Sequence, residues 1–562
     1  MVAQRAATGA ARPDSLYNIR DDILIRTPEG ATLSAMVVRR KDATGPRPTL
    51  LTFDIYTDTA RFRARGKEEA DHGYVGVTVD TRGKRLSRDA ILPYEYEVGD
   101  TYAAIDWIAR QPWSDGQVGM LGGSYSGFSA WAATKRLHPA LKTIAVSAAV
   151  IPGLGLPMWN NVFLNANYAW AFYVGDTRYL DDTIYADNAR WSRMTRDWFT
   201  SGRPYRAIDS LDGKPNPWLH RWLAHPAYDA YWQHMVPYKG DFSGVTIPVL
   251  TITGYYDDAQ ISALEYVKEH NEYNPHADHY VVIGPYDHIG THAATKDTVL
   301  RDYPIDSVAQ FSTPDLKYAW MDYVMRNGPR PAILVDKINY EVMGGNVWRH
   351  AATLDQMSRH PAPYYLSTAL RDGRRRLELT RPSTPEVIDQ SVDLRDRTVE
   401  GNAHAYPYPI IQRTLDNVTE LVFVTDPVDR DTTVSGAFRG DLDVAISTRD
   451  ADLGVTVFEQ LPDGRLFNLA YWLGRASFAR DNTVRHLLTP GQPTHIPFET
   501  SVMSRRLIKG SRLMVLLDVN KTPIAQVNYG TGKSVSDESI ADAKGPVRLR
   551  WYTDSYITVP FE

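Results

Sequence analysis

The sequence predicts an α/β fold: a mostly parallel sheet covered by helices, with a helical insertion inside it and an all-β domain after it. Three observations carry this. Short apolar runs alternate with amphipathic helical patterns over residues 1–150; the rhythm stops at 151 and resumes near 240; and from about 361 strand-like runs follow one another without helical periodicity. The length permits it, since 562 residues at roughly 100–200 per domain allow three to five domains.

Taken in order, residues 22–27 and 31–39 flank Pro28-Glu29-Gly30 as a hairpin. Buried runs follow at 49–53, 75–79, 118–121 and 144–147, the continuous apolar pattern of strands covered on both faces. Residues 101–109 read as a helix with Ala104, Ile105 and Ile108 on one face and Asp100 as N-cap. The strand–helix–strand pattern returns at 247–253, 261–269 and 280–283. This assigns the core to 1–150 and 240–360 and a helical cap to 151–239. The cap holds seven of the chain's 14 tryptophans, Trp159, Trp170, Trp191, Trp198, Trp218, Trp222 and Trp232. Such an insertion either roofs an apolar substrate pocket or packs its aromatics as its own core. Residues 361–562 read as a β-sandwich of jelly-roll type, with runs at 420–425, 434–438, 442–447 and 513–519 and a hairpin turn at Pro462-Asp463-Gly464 between 455–461 and 466–472.

Composition narrows the function. Lys+Arg number 62 against 67 Asp+Glu, and the resulting net charge of −5 leaves no electrostatic footprint for nucleic acid. Cysteine is absent, which removes disulfides, cysteine-ligated metal centres and a thiol nucleophile together. The longest apolar stretch, 143–159, is broken by Pro152, Gly153, Gly155 and Pro157 and falls short of the ~20 residues of a spanning helix. Residues 1–15 are Ala-rich with Arg5 and Arg12 but lack the apolar centre of a signal peptide. As written, the expected address is cytoplasmic, or periplasmic or secreted if a leader has been removed. A homo-oligomer is compatible with all of this.

The chemistry centres on Val118-Gly119-Met120-Leu121-Gly122-Gly123-Ser124-Tyr125-Ser126-Gly127, a strand, a glycine-flanked serine and a helix start. A serine on a sharp strand-to-helix turn needs small neighbours, and the turn exposes its hydroxyl beside helix N-terminal amides. The strict G-x-S-x-G pattern fails, because Ser126 takes its last position and the glycine comes one later. Two further strand ends carry Gly254-Tyr255-Tyr256-Asp257-Asp258 and Gly284-Pro285-Tyr286-Asp287-His288. The order serine, acid, histidine on successive strand ends is that of an α/β-hydrolase.

These blocks, with Asp80-Thr81-Arg82-Gly83 and Gln111-Pro112-Trp113-Ser114-Asp115-Gly116, resemble the cocaine esterase / X-Pro dipeptidyl-peptidase group of serine hydrolases, which includes α-amino-acid ester hydrolases and some glutaryl acylases. The likeness extends over nearly the whole chain. It implies an α/β-hydrolase core with an inserted helical cap and a C-terminal jelly-roll domain, and no cofactor or metal. It further implies Ser124 as nucleophile, His288 as general base and acid, and Asp257, in preference to its neighbour Asp258, as the group orienting His288. The backbone N–H of Tyr125 is one expected oxyanion donor. The second, by the resemblance, is the Tyr56 hydroxyl in Asp54-Ile55-Tyr56-Thr57; its alternative is packing beneath the cap.

Arg82 reads as structural and Asp287 as a solvated loop charge. His288 and His292 have the spacing of an H-x-x-x-H metal pair but lack its glutamate. Relatives that hold an α-ammonium group use carboxylates just after the triad aspartate, where this chain has Asp258, Ala259 and Gln260, and in the cap, where it has Asn160-Asn161. A buried ammonium needs negative charge nearby, so a neutral or acidic acyl group of a small ester or amide is expected. The alternatives are an X-Pro dipeptidyl-peptidase or α-amino-acid ester hydrolase, an acyltransferase, and a non-catalytic binding protein that uses the jelly roll.

Overall fold

The computed structural model describes residues 13–292, 298–398, 409–415 and 419–562; Arg5 and Arg12 of the leader reading lie outside the described residues. Ten strands form the core sheet: β1 (Tyr17–Arg26), β2 (Thr32–Arg40), β3 (Arg47–Asp54), β4 (Val75–Asp80), β5 (Ser114–Gly123), β6 (Leu141–Ser147), β7 (Val249–Tyr256), β8 (His279–Asp287), β9 (Ile338–Val342) and β10 (Val347–Ala351). Their order is β1-β2-β4-β3-β5-β6-β7-β8-β9-β10. Pairing is parallel from β4 through β9 and antiparallel at both margins. Burial follows position. Every residue of β4 and β7 is buried, whereas the edge strand β1 alternates between exposed and covered.

Helices α1 (Thr59–Asp71), α2 (Glu97–Ala109) and α3 (Tyr125–Lys135) cover the first half of the sheet. The sequence reading omitted α1, although Asp58 is its N-cap and accepts the N–H groups of Ala60 (2.9 Å) and Arg61 (3.1 Å). It also began α2 too late. Asp100 is not a cap but lies in the first turn, buried and paired with Arg82, and Tyr96 occupies the N-cap position.

The cap contains α4 (Ala166–Gly175), α5 (Asn188–Ser201) and α6 (Pro217–Leu223), with short turns between them. It is not wholly helical: Met158–Trp159 and Val162–Phe163 form a small antiparallel ribbon. Trp191, Trp198, Trp222 and Trp232 are buried. Trp159 stacks toward Tyr471 of the C-terminal region, with ring centroids 5.2 Å apart. Trp170, half-buried on α4, points instead to the core.

After the cap come α7 (Gln260–Tyr273) and α8 (Thr313–Arg326). From Ala362 onward the described residues form twelve strands joined in one network, with three single 3-10 turns between them. The runs expected at 434–438 and 442–447 are a single strand, Thr432–Ile446, whose register shifts between Ala437 and Arg439. This domain grips the rest through main-chain contacts. Asn165 N–H donates to Ile524 O (2.8 Å), Gln526 N–H to Phe163 O (3.0 Å), and Met343 exchanges bonds with Ser504 (3.1 Å) and Arg506 (3.0 Å). No helix among the described residues is long and apolar enough to cross a membrane.

Candidate active site

Ser124 stands between β5 and α3 at φ 58° and ψ −120°, a backbone position that side chains rarely tolerate. What surrounds it explains the glycines. A Cβ on Gly122 would lie 2.2 Å from Ser126 O, and one on Gly123 would press on the His292 ring at 3.1 Å. The turn is pinned by Ser124 N–H to Ser147 O (3.0 Å) and Phe128 N–H to Ser124 O (3.0 Å). Tyr125 opens α3, so its backbone N–H has no acceptor within the helix.

Asp257 follows β7 and His288 follows β8, neighbouring parallel strands, which brings them together although 31 residues separate them. His288 Nδ1 lies 3.0 Å from Asp257 Oδ1 and 2.9 Å from Asp258 Oδ1. Asp257 is the better-anchored partner. Its side chain is fully buried, Oδ2 accepts from Thr253 Oγ1 (2.8 Å) and Oδ1 accepts from Ala259 N–H (3.0 Å). Burial alone would lower the His288 pKa; the Asp258 and Asp257 carboxylates outweigh it and hold the imidazole well above its ordinary value. Asp257 itself is pushed up by burial. The ligand atoms of Asp257, Asp258 and His288 lie within 4.8 Å of one another, a spacing that would also suit a divalent cation; His288 Nδ1–H donating to Asp257 accounts for it without one.

The Tyr56 hydroxyl lies 3.4 Å from Ser124 Oγ and accepts a hydrogen bond from Trp170 Nε1 of α4 (3.1 Å). Among the described residues this is the serine hydroxyl's side-chain hydrogen bond; none joins it to His288 in this state. Burial keeps the phenol protonated by raising its pKa. Behind the turn, the Tyr125 hydroxyl donates to Glu97 Oε1 and accepts from Tyr94 N–H (3.0 Å). Burial pushes the Glu97 carboxyl up to about 7. Below the turn, Lys317 Nζ of α8 donates to Gly122 O (3.2 Å) and Ser147 Oγ (2.7 Å), and burial brings its pKa down to about 7.

Asp287 is not a free loop charge, since it ends β8 and accepts from Gly290 N–H (2.9 Å) and Arg301 (3.2 Å). Arg82 pairs with the buried Asp100. The His292 ring sits 5.5 Å from that of His288, edge to face, with Nδ1 on Thr291 Oγ1 (3.1 Å), an arrangement that packs under Gly123 rather than chelating. Asn160 and Asn161 do not face the site: their amides bind Leu473 O (2.8 Å), Pro226 O (3.0 Å) and Asn482 O (3.0 Å), tying the cap to the C-terminal domain. Gln260 is likewise consumed, by Gly254 O (2.9 Å) and the Val502 backbone (2.9 and 2.7 Å).

A family model described as X-Pro dipeptidyl-peptidase (S15 family) matches residues 29–290, and one described as X-Pro dipeptidyl-peptidase C-terminal non-catalytic domain matches 335–548. The chain belongs to the cocaine esterase / X-Pro dipeptidyl-peptidase (S15) family of serine hydrolases. Cocaine esterase of Rhodococcus sp. (strain MB1 Bresler) is 25% identical over 571 residues, covering 94% of this chain and 95% of its own. Among solved structures, an aminopeptidase from a marine sediment Thaumarchaeota archaeon superposes with a TM-score of 0.79 at 18% identity, covering 100% of this chain and 99% of its own. An α-amino-acid ester hydrolase superposes at 0.75 with 19% identity, covering 100% and 98%. Likeness at that identity speaks for the fold: an α/β-hydrolase core with a C-terminal β domain.

Within this S15-family chain, sequence reasoning missed Trp170, Glu97 and Lys317 as parts of the site. Trp170 was one aromatic among seven. Glu97 stood close enough to Asp100 to signal a helix start, but nothing local showed that Tyr125 would meet it. Lys317 lies in a helix the reading did not draw.

Proposed function

We propose that the chain cleaves an ester or amide acyl bond through a Ser124 acyl-enzyme. His288 takes the Ser124 proton as Oγ attacks the acyl carbonyl, and the developing oxyanion receives the Tyr125 N–H and the Tyr56 O–H. Collapse of the tetrahedral intermediate expels the leaving group, which takes the proton from His288. Water then repeats the sequence and restores the serine. Asp257 keeps the imidazole's Nδ1 protonated and its Nε2 turned to the reaction. The observation that carries the reading is the meeting of Tyr56 with a strained Ser124 at the end of β5, while His288 after β8 is braced by carboxylates that follow the neighbouring β7. The His288–Ser124 hydrogen bond forms as substrate seats, a tightening common in such sites.

We further infer a neutral or acidic acyl group. Support comes from the occupied state of each position that would hold an ammonium: Asp258 faces His288, Ala259 is buried, and Gln260, Asn160 and Asn161 are bound to backbone carbonyls. The experiment is fluorophosphonate labelling with matched kinetics. Labelling should vanish in Ser124→Ala, with kcat reduced by about 10⁶. An uncharged aryl ester should be cleaved faster than its α-amino counterpart. Persistent labelling would remove Ser124 from the mechanism, and the reverse substrate ranking would overturn the acyl assignment.

A further inference from the structure

We propose that Trp170 is a positioning residue that aims the Tyr56 hydroxyl proton at the oxyanion, making the cap a working part of the catalytic machinery. The proposal rests on the reading of Tyr56 as an oxyanion donor. An indole N–H can only donate. Trp170 Nε1–H, 3.1 Å from Tyr56 Oη, therefore takes a lone pair on the phenol oxygen and cannot receive the phenol's proton. A phenolic O–H lies near the ring plane and has two preferred directions. With Trp170 donating to the oxygen, the phenol's own proton is left for another acceptor, and Ser124 Oγ lies 3.4 Å away.

The rings around this contact make it a fixed one. Tyr56 meets the Tyr125 ring edge-on at 6.3 Å and Tyr173 of α4 at 6.1 Å. Trp170 stacks on Tyr94 at 5.5 Å, and Tyr94 N–H in turn holds the Tyr125 hydroxyl. The far end of α4 is clamped to the core by Lys84, whose Nζ donates to Val174 O (2.7 Å), Thr177 O (2.8 Å) and Tyr179 O (3.3 Å). Cap seating and proton direction are thus one geometric condition. A tryptophan serving only as pocket wall would have no need to direct its N–H at the phenol. Among the described residues, Trp131, Trp159 and Trp198 find no hydrogen-bond partner for theirs.

The test is a double-mutant cycle in the full-length enzyme with a small, uncharged aryl ester. Tyr56→Phe should lower kcat by about 10²–10³, the effect of losing one oxyanion donor. Trp170→Phe should lower kcat by about tenfold, the equivalent of one neutral hydrogen bond, with KM little changed. In the Tyr56→Phe background, Trp170→Phe should have no further effect on kcat. Incorporating the benzothiophene analogue of tryptophan at 170, which keeps the bicyclic shape and replaces N–H by sulfur, should reproduce the loss without disturbing packing. The proposal is overturned if that analogue retains full kcat while Tyr56→Phe is slow, or if the Trp170 loss is equal in both backgrounds. If Tyr56→Phe itself is fully active, the oxyanion assignment falls first and the proposal falls with it, a distinct result.

Discussion

At the scale of single residues, His288 touches two carboxylates through one nitrogen, and they do different work. Asp257 is fixed by Thr253 and Ala259 and, in the proposed mechanism, sets the ring's direction; Asp258 adds charge beside it. Asp257→Asn should reduce kcat by about 10³–10⁴, because the wrong tautomer then faces Ser124. Asp258→Asn should leave the plateau nearly intact and act on the pH profile. In the proposed mechanism the neutral imidazole is the base, so with its pKa raised, activity should be lost as pH falls through that value. Removing the Asp258 charge lowers that pKa, so the acidic limb of kcat/KM should move to lower pH. A collapsed plateau would assign Asp258 the orienting role, and an unmoved limb would show that its charge does not hold up the His288 pKa. The adjacency of the two acids was visible in the sequence, but consecutive side chains on an extended strand point apart. They converge because β7 ends at Tyr256 and the turn that follows folds both back toward β8.

At the scale of elements, the β5–α3 turn shows why some glycines are fixed and others free. The Cβ of Gly122→Ala would lie 2.2 Å from the Ser126 carbonyl oxygen, backbone that cannot yield without shifting α3. Fluorophosphonate labelling should slow by about 10² and the melting temperature should fall by several degrees, the signature of strain at a forced backbone. Gly99, inside α2, has nothing within 4 Å of an added Cβ. Gly99→Ala should stabilise by about 0.5–1 kcal/mol with labelling unchanged. Equal effects of the two substitutions, measured by thermal unfolding and labelling rate, would contradict this account. The strands β3 through β8 were readable as apolar runs because both faces are covered. The start of α2 was not. Glu97 and Asp100 look like a solvated first turn, and only Tyr125 and Arg82, brought in by tertiary packing, make them buried residues.

At the scale of the molecule, the three parts named in the sequence are not beads on a string. The asparagines and the glutamine at the positions where relatives are expected to hold an ammonium group are ties between cap, core and β domain, an outcome set by segments hundreds of residues away. One group at this junction stores a pH dependence. Glu341 lies on β9, next to the Pro493–Leu507 strand that carries Arg505; among the described residues no donor reaches its carboxyl oxygens, and Asp306 lies beside it. Burial, then Asp306, pushes its pKa up to about 9, against 4.5 for the free side chain. The sign follows from linkage. The unfolded chain loses this proton near 4.5 and the folded one keeps it to about 9, so its contribution is complete below 4.5 and declines as pH rises toward 9. Within that window the slope from this one group approaches about 1.4 kcal/mol per pH unit. Glu341→Gln removes the titration and offers Asp306 an amide donor. The melting temperature of the variant should therefore gain on the parent steadily between pH 5 and pH 9, whatever fixed offset the substitution brings through packing. Parallel melting curves across that range would show that Glu341 is ionised in the folded protein and that another group compensates its charge.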